Sequence, residues 1–261
     1  MDRGNIDRIA QSSDERILLA KLWDKIQSGI RKNIPANTAF ISPREQELAQ
    51  YLFGNAPGLR FFGGYADAER RMLVYLPDYL DDSWLYEEDS CLCCLRASFY
   101  AQDALTHRDF LGALMGAGIA RETVGDICVG TGSCDFLATA EITPYILQNL
   151  TQAGRTKLQI QQIPLEQMCP PQPQIQQIRD TVASVRLDSI IAAGFRMGRS
   201  LAVQTISSGK VAIDGLPCDK PDRLVDAGAK ISVRGAGKIR LREIGRQTKK
   251  GRISVVIDRY V

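Results

Sequence analysis

The chain has 261 residues, 44% hydrophobic and 24% charged, a balance that suits two folded domains, or two with a helical extension, and excludes wholesale disorder. No run of about 18 apolar residues occurs, so no membrane helix is expected, and the acid-rich start (Asp2, Asp7, Asp14, Glu15) fits neither a secretory signal nor a transit peptide, pointing to a soluble intracellular protein. The net charge of +3 conceals a split: residues 181–261 hold 16 of the 33 Lys and Arg but 7 of the 30 Asp and Glu, a net +9, leaving residues 1–180 at −6.

Residues 1–58 read as a helical region. Ile17, Leu18, Ala20, Leu22, Trp23 and Ile26 recur at the three-to-four spacing of one helix face. Ser42 and Glu45 form a capping-box pair with Pro43 at the first helical position, so a second helix is expected from Pro43 to about Phe53, broken by Pro57 and Gly58.

Residues 59–165 change period repeatedly. The pattern predicts strands over Leu59–Phe62 and Met72–Tyr75, with a Gly63-Gly64 turn and a helix around Asp67–Arg71 between them. A β-rich stretch over Trp84–Leu95 follows, then a helix opening near Thr106 and ending at Gly116 and Gly118. Strands at Ile127–Val129 and Phe136–Ala140, a helix over Thr143–Leu150 and a strand over Lys157–Ile163 complete the segment. Alternating strands and helices in this order suggest a small α+β sandwich of the split-βαβ, RRM-like or ferredoxin-like type. Within it Asp109 is expected to support an early helix turn, Gly112 and Gly116 are spaced for close helix packing, and Arg70, Arg71, Arg108 and Arg121 are free to touch RNA.

Residues 166–182, with Pro170, Pro171 and Pro173 among glutamines, read as a linker unable to form a regular ladder or helix. Beyond it Leu187, Ile190 and Ile191 mark a helix that breaks at Gly194-Phe195. A second helix starts near Arg199 and Ser200, buries Leu201, Ala202, Thr205 and Ile206 and stops at Gly209. A strand over Val211–Ile213, an Asp214-Gly215 hairpin turn and strands at 231–234, 239–244 and 253–257 predict a small sheet.

Three stretches of this last segment, RLDSIIAAGFRMGRS, ISSGKVAIDG and ISVRGAGKI, closely resemble the pattern of the S4 (αL-type) RNA-binding domain, placed here at residues 183–261. The resemblance implies a surface that contacts RNA through Arg186, Arg196, Arg199, Ser200, Lys210, Lys220, Arg234, Lys238 and Arg240. Helix starts, turns and strand ends are where side chains and free amides reach phosphates, and the narrow major groove of folded RNA favours reading of backbone shape and 2′-hydroxyls. Three positions depart from the family pattern. Gly198 stands in place of a Ser before the second helix, Asp214 in place of an Asn, and Ala229-Lys230 in place of an acid. The first removes a cap or phosphate contact and the second adds a negative charge near the RNA surface.

Upstream, FISPREQELAQYL, FFGGYADAERRMLVYLPDY and LTHRDFLGALMGAGIARETVGDICV occur in the order found in YlmH-type S4-domain proteins, whose cyanobacterial and plastid branch is labelled photosystem II S4-domain protein. The resemblance runs from about Phe40 to the end of the chain. It implies a monomeric RNA-binding protein associated with the large ribosomal subunit through rRNA or tRNA, acting in ribosome quality control or translation, and cytoplasmic or, in a phototrophic eukaryote, in the chloroplast stroma. No cofactor, small-molecule substrate or membrane partner is expected. Two alternatives remain at this point: an RNA-modifying enzyme with an appended S4 domain, and a photosystem-related gene-expression factor. The enzyme reading is disfavoured. His107-Arg108-Asp109 mimics a kinase loop without the accompanying glycine loop, lysine or DFG, and Arg186-Leu187-Asp188 lacks the continuation of a pseudouridine synthase loop. The seven cysteines include a Cys91–Cys94 CxxC pair, but with one histidine in the chain and no second pair they read as buried, reduced thiols, not a metal or redox site.

Overall fold

The computed structural model describes residues 3–87, 90–170, 175–248 and 251–260. Its first compact unit is Met1–Pro171. Short helix α1 (Ile6–Ile9) precedes α2 (Ser13–Lys32), which is capped by the Ser12 side chain and ends on Asn33 in the left-handed region. Then come β1 (Ala36–Asn37), α3 (Pro43–Phe53), β2 (Leu59–Phe62) and β3 (Met72–Tyr75). The Ser42–Glu45 capping box at the start of α3 forms as the sequence predicts. The strands make a three-stranded antiparallel sheet in the order β1-β3-β2, and α2 and α3 pack Leu19, Leu22, Ile26, Leu48 and Leu52 together with Leu73 of β3. Because β1 pairs with β3, residues 1–58 are not a separate helical region: their strand completes a sheet begun after residue 58.

The chain continues through β4 (Leu92–Ser98), α4 (His107–Gly116), β5 (Val124–Val129), β6 (Ser133–Thr139), α5 (Thr143–Asn149), a small hairpin of β7 (Gln152–Ala153) and β8 (Thr156–Lys157), and β9 (Gln159–Ile163). The sheet order β5-β6-β4-β9, antiparallel throughout, is the split-βαβ arrangement that the alternation predicts. Strand alternation sends Leu95, Ala97, Phe136 and Ala138 to a core with Phe110 and Leu114 of α4 and Ile146 of α5. It sends Cys94, Leu137, Cys128 and Ile163 to the opposite face, where Phe40, Phe62, Met72, Val74 and Leu76 cover them. Both faces of this sheet are therefore buried.

Two expectations fail here, the first for a long-range reason. Residues 67–71 form no helix. Instead Asp126 of β5 accepts hydrogen bonds from Tyr65 Oη (2.8 Å) and from the amides of Glu69 (2.7 Å) and Arg70 (3.0 Å), fixing the segment as a turn. Gly64 takes φ +82°, and a Cβ at Gly63 would lie 2.6 Å from both Ala68 Cβ and the Arg70 carbonyl oxygen, so the glycine pair serves this folded loop and not a helix start. Asp126→Ala removes three bonds to a charged acceptor and is expected to cost about 3 kcal/mol, roughly 10 °C in melting temperature; an unchanged thermal midpoint would refute the clamp. The second failure lies in Trp84–Leu95, where a 3-10 turn occupies Asp82–Tyr86 and the strand starts only at Leu92.

The second unit is Gln172–Val261. It comprises β10 (Ile175–Val182), α6 (Leu187–Phe195), α7 (Arg199–Ser207), β11 (Val211–Ile213), β12 (Leu216–Pro217), β13 (Lys230–Val233), β14 (Gly237–Gln247) and β15 (Ile253–Tyr260). Six strands run in the order β10-β15-β14-β13-β11-β12, and α6 and α7 cover one face with Leu187, Ile190, Ile191, Ala202 and Ile206 packed on Ile178, Ile231, Ile239, Leu241 and Ile257. The approach of α6 is close enough that a Cβ on Gly194 would meet Ile239 Cδ1 at 2.6 Å.

The expected linker at 166–182 is corrected by β10, which pairs with β15 over eight registered positions from Ile175–Tyr260 to Val182–Ile253. No proline falls within 175–182. Ile178 and Val182 point to the core, and an edge strand leaves its other side to Gln and Arg without cost. At the other end, Met168 is buried in the first unit, and the amide of Cys169 donates to Asp135. Pro171 and Pro173 lie outside the described residues. Among the described residues no helix is long and apolar enough to cross a membrane.

Candidate nucleic-acid interface

The second unit holds all nine residues expected to contact RNA, and the fold divides them. Arg186 caps the start of α6 and Arg199 opens α7, and both reach one carboxylate. Arg199 Nε and Nη2 lie 3.0 and 2.9 Å from Asp188 Oδ2, and Arg186 Nε lies 3.5 Å from Asp188 Oδ1. Asp188 is 2% exposed, whereas the Arg199 side chain is 56% exposed and that of Arg186 38%. The aspartate of the RLD motif thus acts from below the surface: through hydrogen bonds from Arg199 it locks the starts of two helices together, and its charge keeps the Arg186 guanidinium beside it at the solvent boundary without a hydrogen bond from Nε.

The loop after β12 completes this side. Asp188 and Leu187 amides donate to the carbonyls of Pro221 (3.0 Å) and Arg223 (2.8 Å), which seats the loop carrying exposed Lys220 against the beginning of α6. Arg196, exposed, ends α6 in the left-handed conformation at φ 52°. Ser200 is exposed in the first turn of α7, whose N-cap, Gly198, supplies no side-chain cap. The free amides of that turn and the neighbouring guanidiniums therefore present donors and positive charge on one side. Leu201, expected in the core, is 52% exposed, because α7 buries only the i, i+4 pair Ala202 and Ile206.

Lys210 and Arg234 meet elsewhere, at the start of β11 and the end of β13, where the Arg234 amide donates to the Lys210 carbonyl at 2.9 Å. Lys238 and Arg240 are separated from the helices altogether. Their neighbours Ile239 and Leu241 are fully buried beneath α6, so alternation sends Lys238 and Arg240 to the opposite face of the sheet. Asp214, a departure from the S4 pattern, has a structural use: at φ 50° it forms the hairpin turn with Gly215, and its Oδ1 accepts the Lys230 amide at 2.8 Å.

In the first unit the arginines with a possible RNA role turn inward. Arg70 donates to the carbonyls of Val124 and Phe40, Arg121 to those of Val124 and Gly125, and Arg71 to those of Ala68 and Ala66. Burial depresses the Arg70 and Arg121 pKa values below the usual range for arginine, in keeping with guanidiniums placed for structure. Arg108 alone of the four is exposed and unengaged by these carbonyls. Asp109 accepts from the Thr106 amide (2.8 Å) and hydroxyl (2.7 Å), capping α4 as the sequence suggests. Gly112 and Gly116 face open space and mark no close packing. Cys91 and Cys94 are buried, and burial pushes both thiols up to about 12, so they stay protonated at neutral pH. Among the described residues no group of three or more His, Cys, Asp or Glu is placed to hold a metal ion.

Residues 99–167 match a family profile described as "Putative RNA-binding domain in YlmH", and residues 185–231 match the S4 domain. Over 251 residues, 94% of this chain and 95% of its relative, the sequence is 31% identical to the ribosome-associated protein quality control protein P2 of Bacillus subtilis (strain 168). The chain belongs to the YlmH-type S4-domain family. A solved structure, the cell division protein ylmH from Streptococcus pneumoniae, shares the fold with a TM-score of 0.50 at 20% identity, covering 61% of this chain and 98% of that one. For this YlmH-type chain, the first profile match spans α4 to β9 and the turn after it, in a domain whose sheet is buried on both faces. This sheet therefore offers no open face of the kind RRM modules use.

Proposed function

We propose that this chain is a non-catalytic RNA-binding protein that associates with the large ribosomal subunit, recognising structured rRNA or tRNA through the helix side of its S4 domain. Its place is the cytoplasm and its process ribosome-associated quality control. The observation that carries the reading is the pair of arginines, Arg186 and Arg199, held at the surface by buried Asp188 beside an uncapped helix start. Positive charge fixed in place with free amides beside it suits phosphates, and its rigidity suits RNA of defined shape over flexible single strands. The Bacillus relative, aligned across nearly the whole of both chains, supports the ribosomal setting.

The test uses residues that do not hold the fold together. Arg196 and Lys220 are exposed on this side and make no side-chain contact with Asp188. An Arg196→Glu/Lys220→Glu variant should keep the wild-type melting temperature and lose co-sedimentation with large subunits by about tenfold at moderate salt. Sedimentation equal to wild type would reject the helix side as the ribosome contact.

A further inference from the structure

The S4 match ends at residue 231, yet the sheet continues through β14 and β15 and closes on β10. These added strands create a broad face on the side away from α6 and α7, and its register can be read across the strands. Lys230 of β13 is paired with Arg240 of β14, which is paired with Asp258 of β15; Lys238 lies between Ser232 and Tyr260 in the neighbouring row. Arg179 of β10 sits opposite Val256 on the same face, and Arg242 occupies a bulge in β14. Lys230, Arg240, Arg242 and Arg179 are exposed. Of the acids near these cations, Asp258 is largely buried and lies 3.7 Å from Arg242, Glu243 is exposed on β14, and exposed Asp214 accepts the Lys230 amide at the end of the row.

We propose that this open sheet face is a second RNA-backbone surface, distinct from the helix side, so that the C-terminal unit sits between two RNA segments. The proposal rests on the RNA-binding reading above and extends it. Cations on adjacent strands stand about 5 Å apart and those two residues apart along a strand about 7 Å, a density of fixed positive charge that matches a phosphate chain. Tyr260 and Ser232, which flank Lys238 in the same row, add an aromatic ring and a hydroxyl of the kinds that meet bases, sugars and phosphates. The geometry also explains why a single contact surface does not account for the charge of this unit. A sheet and its helix layer separate Lys238 and Arg240 from Arg186 and Arg199, so one RNA strand cannot lie along both sets, and a branched or folded RNA can.

Fluorescence anisotropy with the full chain, across a salt series, tests this with two probes: a simple RNA stem-loop and a folded tRNA. Lys230→Glu/Arg240→Glu is the main variant. Because a glutamate at 240 would face Asp258 directly, Lys230→Gln/Arg240→Gln is run beside it as a variant without the repulsion. For tRNA, the expected result is about tenfold weaker binding with a log K against log salt slope shallower by about 2, and an unchanged stem-loop affinity. Arg196→Glu/Lys220→Glu should weaken both probes. If the open-face variants bind tRNA as wild type does while the helix-side variant fails, the second surface is overturned and the first stands; an acidic protein partner then becomes the occupant to seek. Equal weakening of both probes by the open-face variants also overturns it, since that outcome describes one continuous footprint. Wild-type protein with no salt-sensitive affinity for either RNA overturns the RNA-binding reading itself.

Discussion

Replacing Arg186 and Arg199 together with Glu should strongly destabilise the C-terminal unit, not simply detach it from RNA. Asp188 is 2% exposed, and its ion-pair partners among the described residues are these arginines. Removing them leaves a carboxylate below the surface with no counter-charge, a situation that costs about 3–5 kcal/mol, and two introduced carboxylates add repulsion at the same point. Against a typical domain stability of about 5–15 kcal/mol, that removes a large share of the margin and, at the lower end of the range, depopulates the folded state. Calorimetry of the full chain should show the transition of one unit lowered or lost and that of the other retained. Milder substitutions separate fold from charge: Arg186→Gln/Arg199→Gln should be strongly destabilising alone and much less so combined with Asp188→Asn, because the amide needs no counter-ion. A double-mutant cycle with a coupling energy near zero would show that the carboxylate is not what holds the helix starts together. A loss of RNA binding in Arg186 or Arg199 variants therefore counts as an interface effect only when the melting transition survives.

What the sequence disclosed and what it concealed follow from the range of the forces involved. The capping box at Ser42, the hairpin turn at Asp214-Gly215 and the helix stop at Gly209 depend on neighbours within a few residues and are legible, whereas α6 runs on through Gly194 and Phe195 and ends at Arg196 in the left-handed region. The strand and helix alternation gave the split-βαβ sheet because every one of its elements carries its own periodicity. The Tyr65–Arg70 turn was hidden because its conformation is dictated by Asp126, more than fifty residues away. Of the inward arginines, Arg70 is hidden for the same reason, because the carbonyls it engages belong to distant segments, whereas Arg71 and Arg121 bond carbonyls three to five residues away and a motif shows only that a cation is present. Strand β10 was mistaken for linker because its glutamines look like linker composition, whereas its partner, β15, lies some eighty residues on. The division of the basic residues between two faces was the one feature missed that the sequence did contain. Apolar Ile239 and Leu241 alternate with Lys238 and Arg240, and this parity alone places the two cations away from the core.

Arg96→Ala should destabilise the first unit by about 3–5 kcal/mol, although the arginine looks like one more surface cation. Its side chain is 25% exposed, but its partner Asp135 is 3% exposed, and the two make a fork of paired bonds, Nε to Oδ1 and Nη2 to Oδ2, both 2.7 Å, across β4 and β6. The same guanidinium donates to the Gln167 carbonyl at 2.7 Å, and Asp135 accepts the Cys169 amide at 2.9 Å, so one ion pair fastens the chain as it leaves the first unit. The hydrogen bonds to Asp135 hold the Arg96 pKa above its usual value, consistent with a permanently charged fork. Loss of Arg96 strands the buried carboxylate and frees the 165–169 turn at once. Two readouts distinguish these effects: a lowered thermal midpoint reports the stranded charge, and faster amide exchange with new protease cleavage at 165–169 reports the released turn. Arg96→Lys keeps the charge but not the fork and should fall between the two, with the turn still loosened because an ammonium cannot serve Asp135 in two places and Gln167 as well. If Arg96→Ala melts within about 0.5 kcal/mol of wild type, the pair is an ordinary surface salt bridge, and burial of Asp135 must be balanced by other donors.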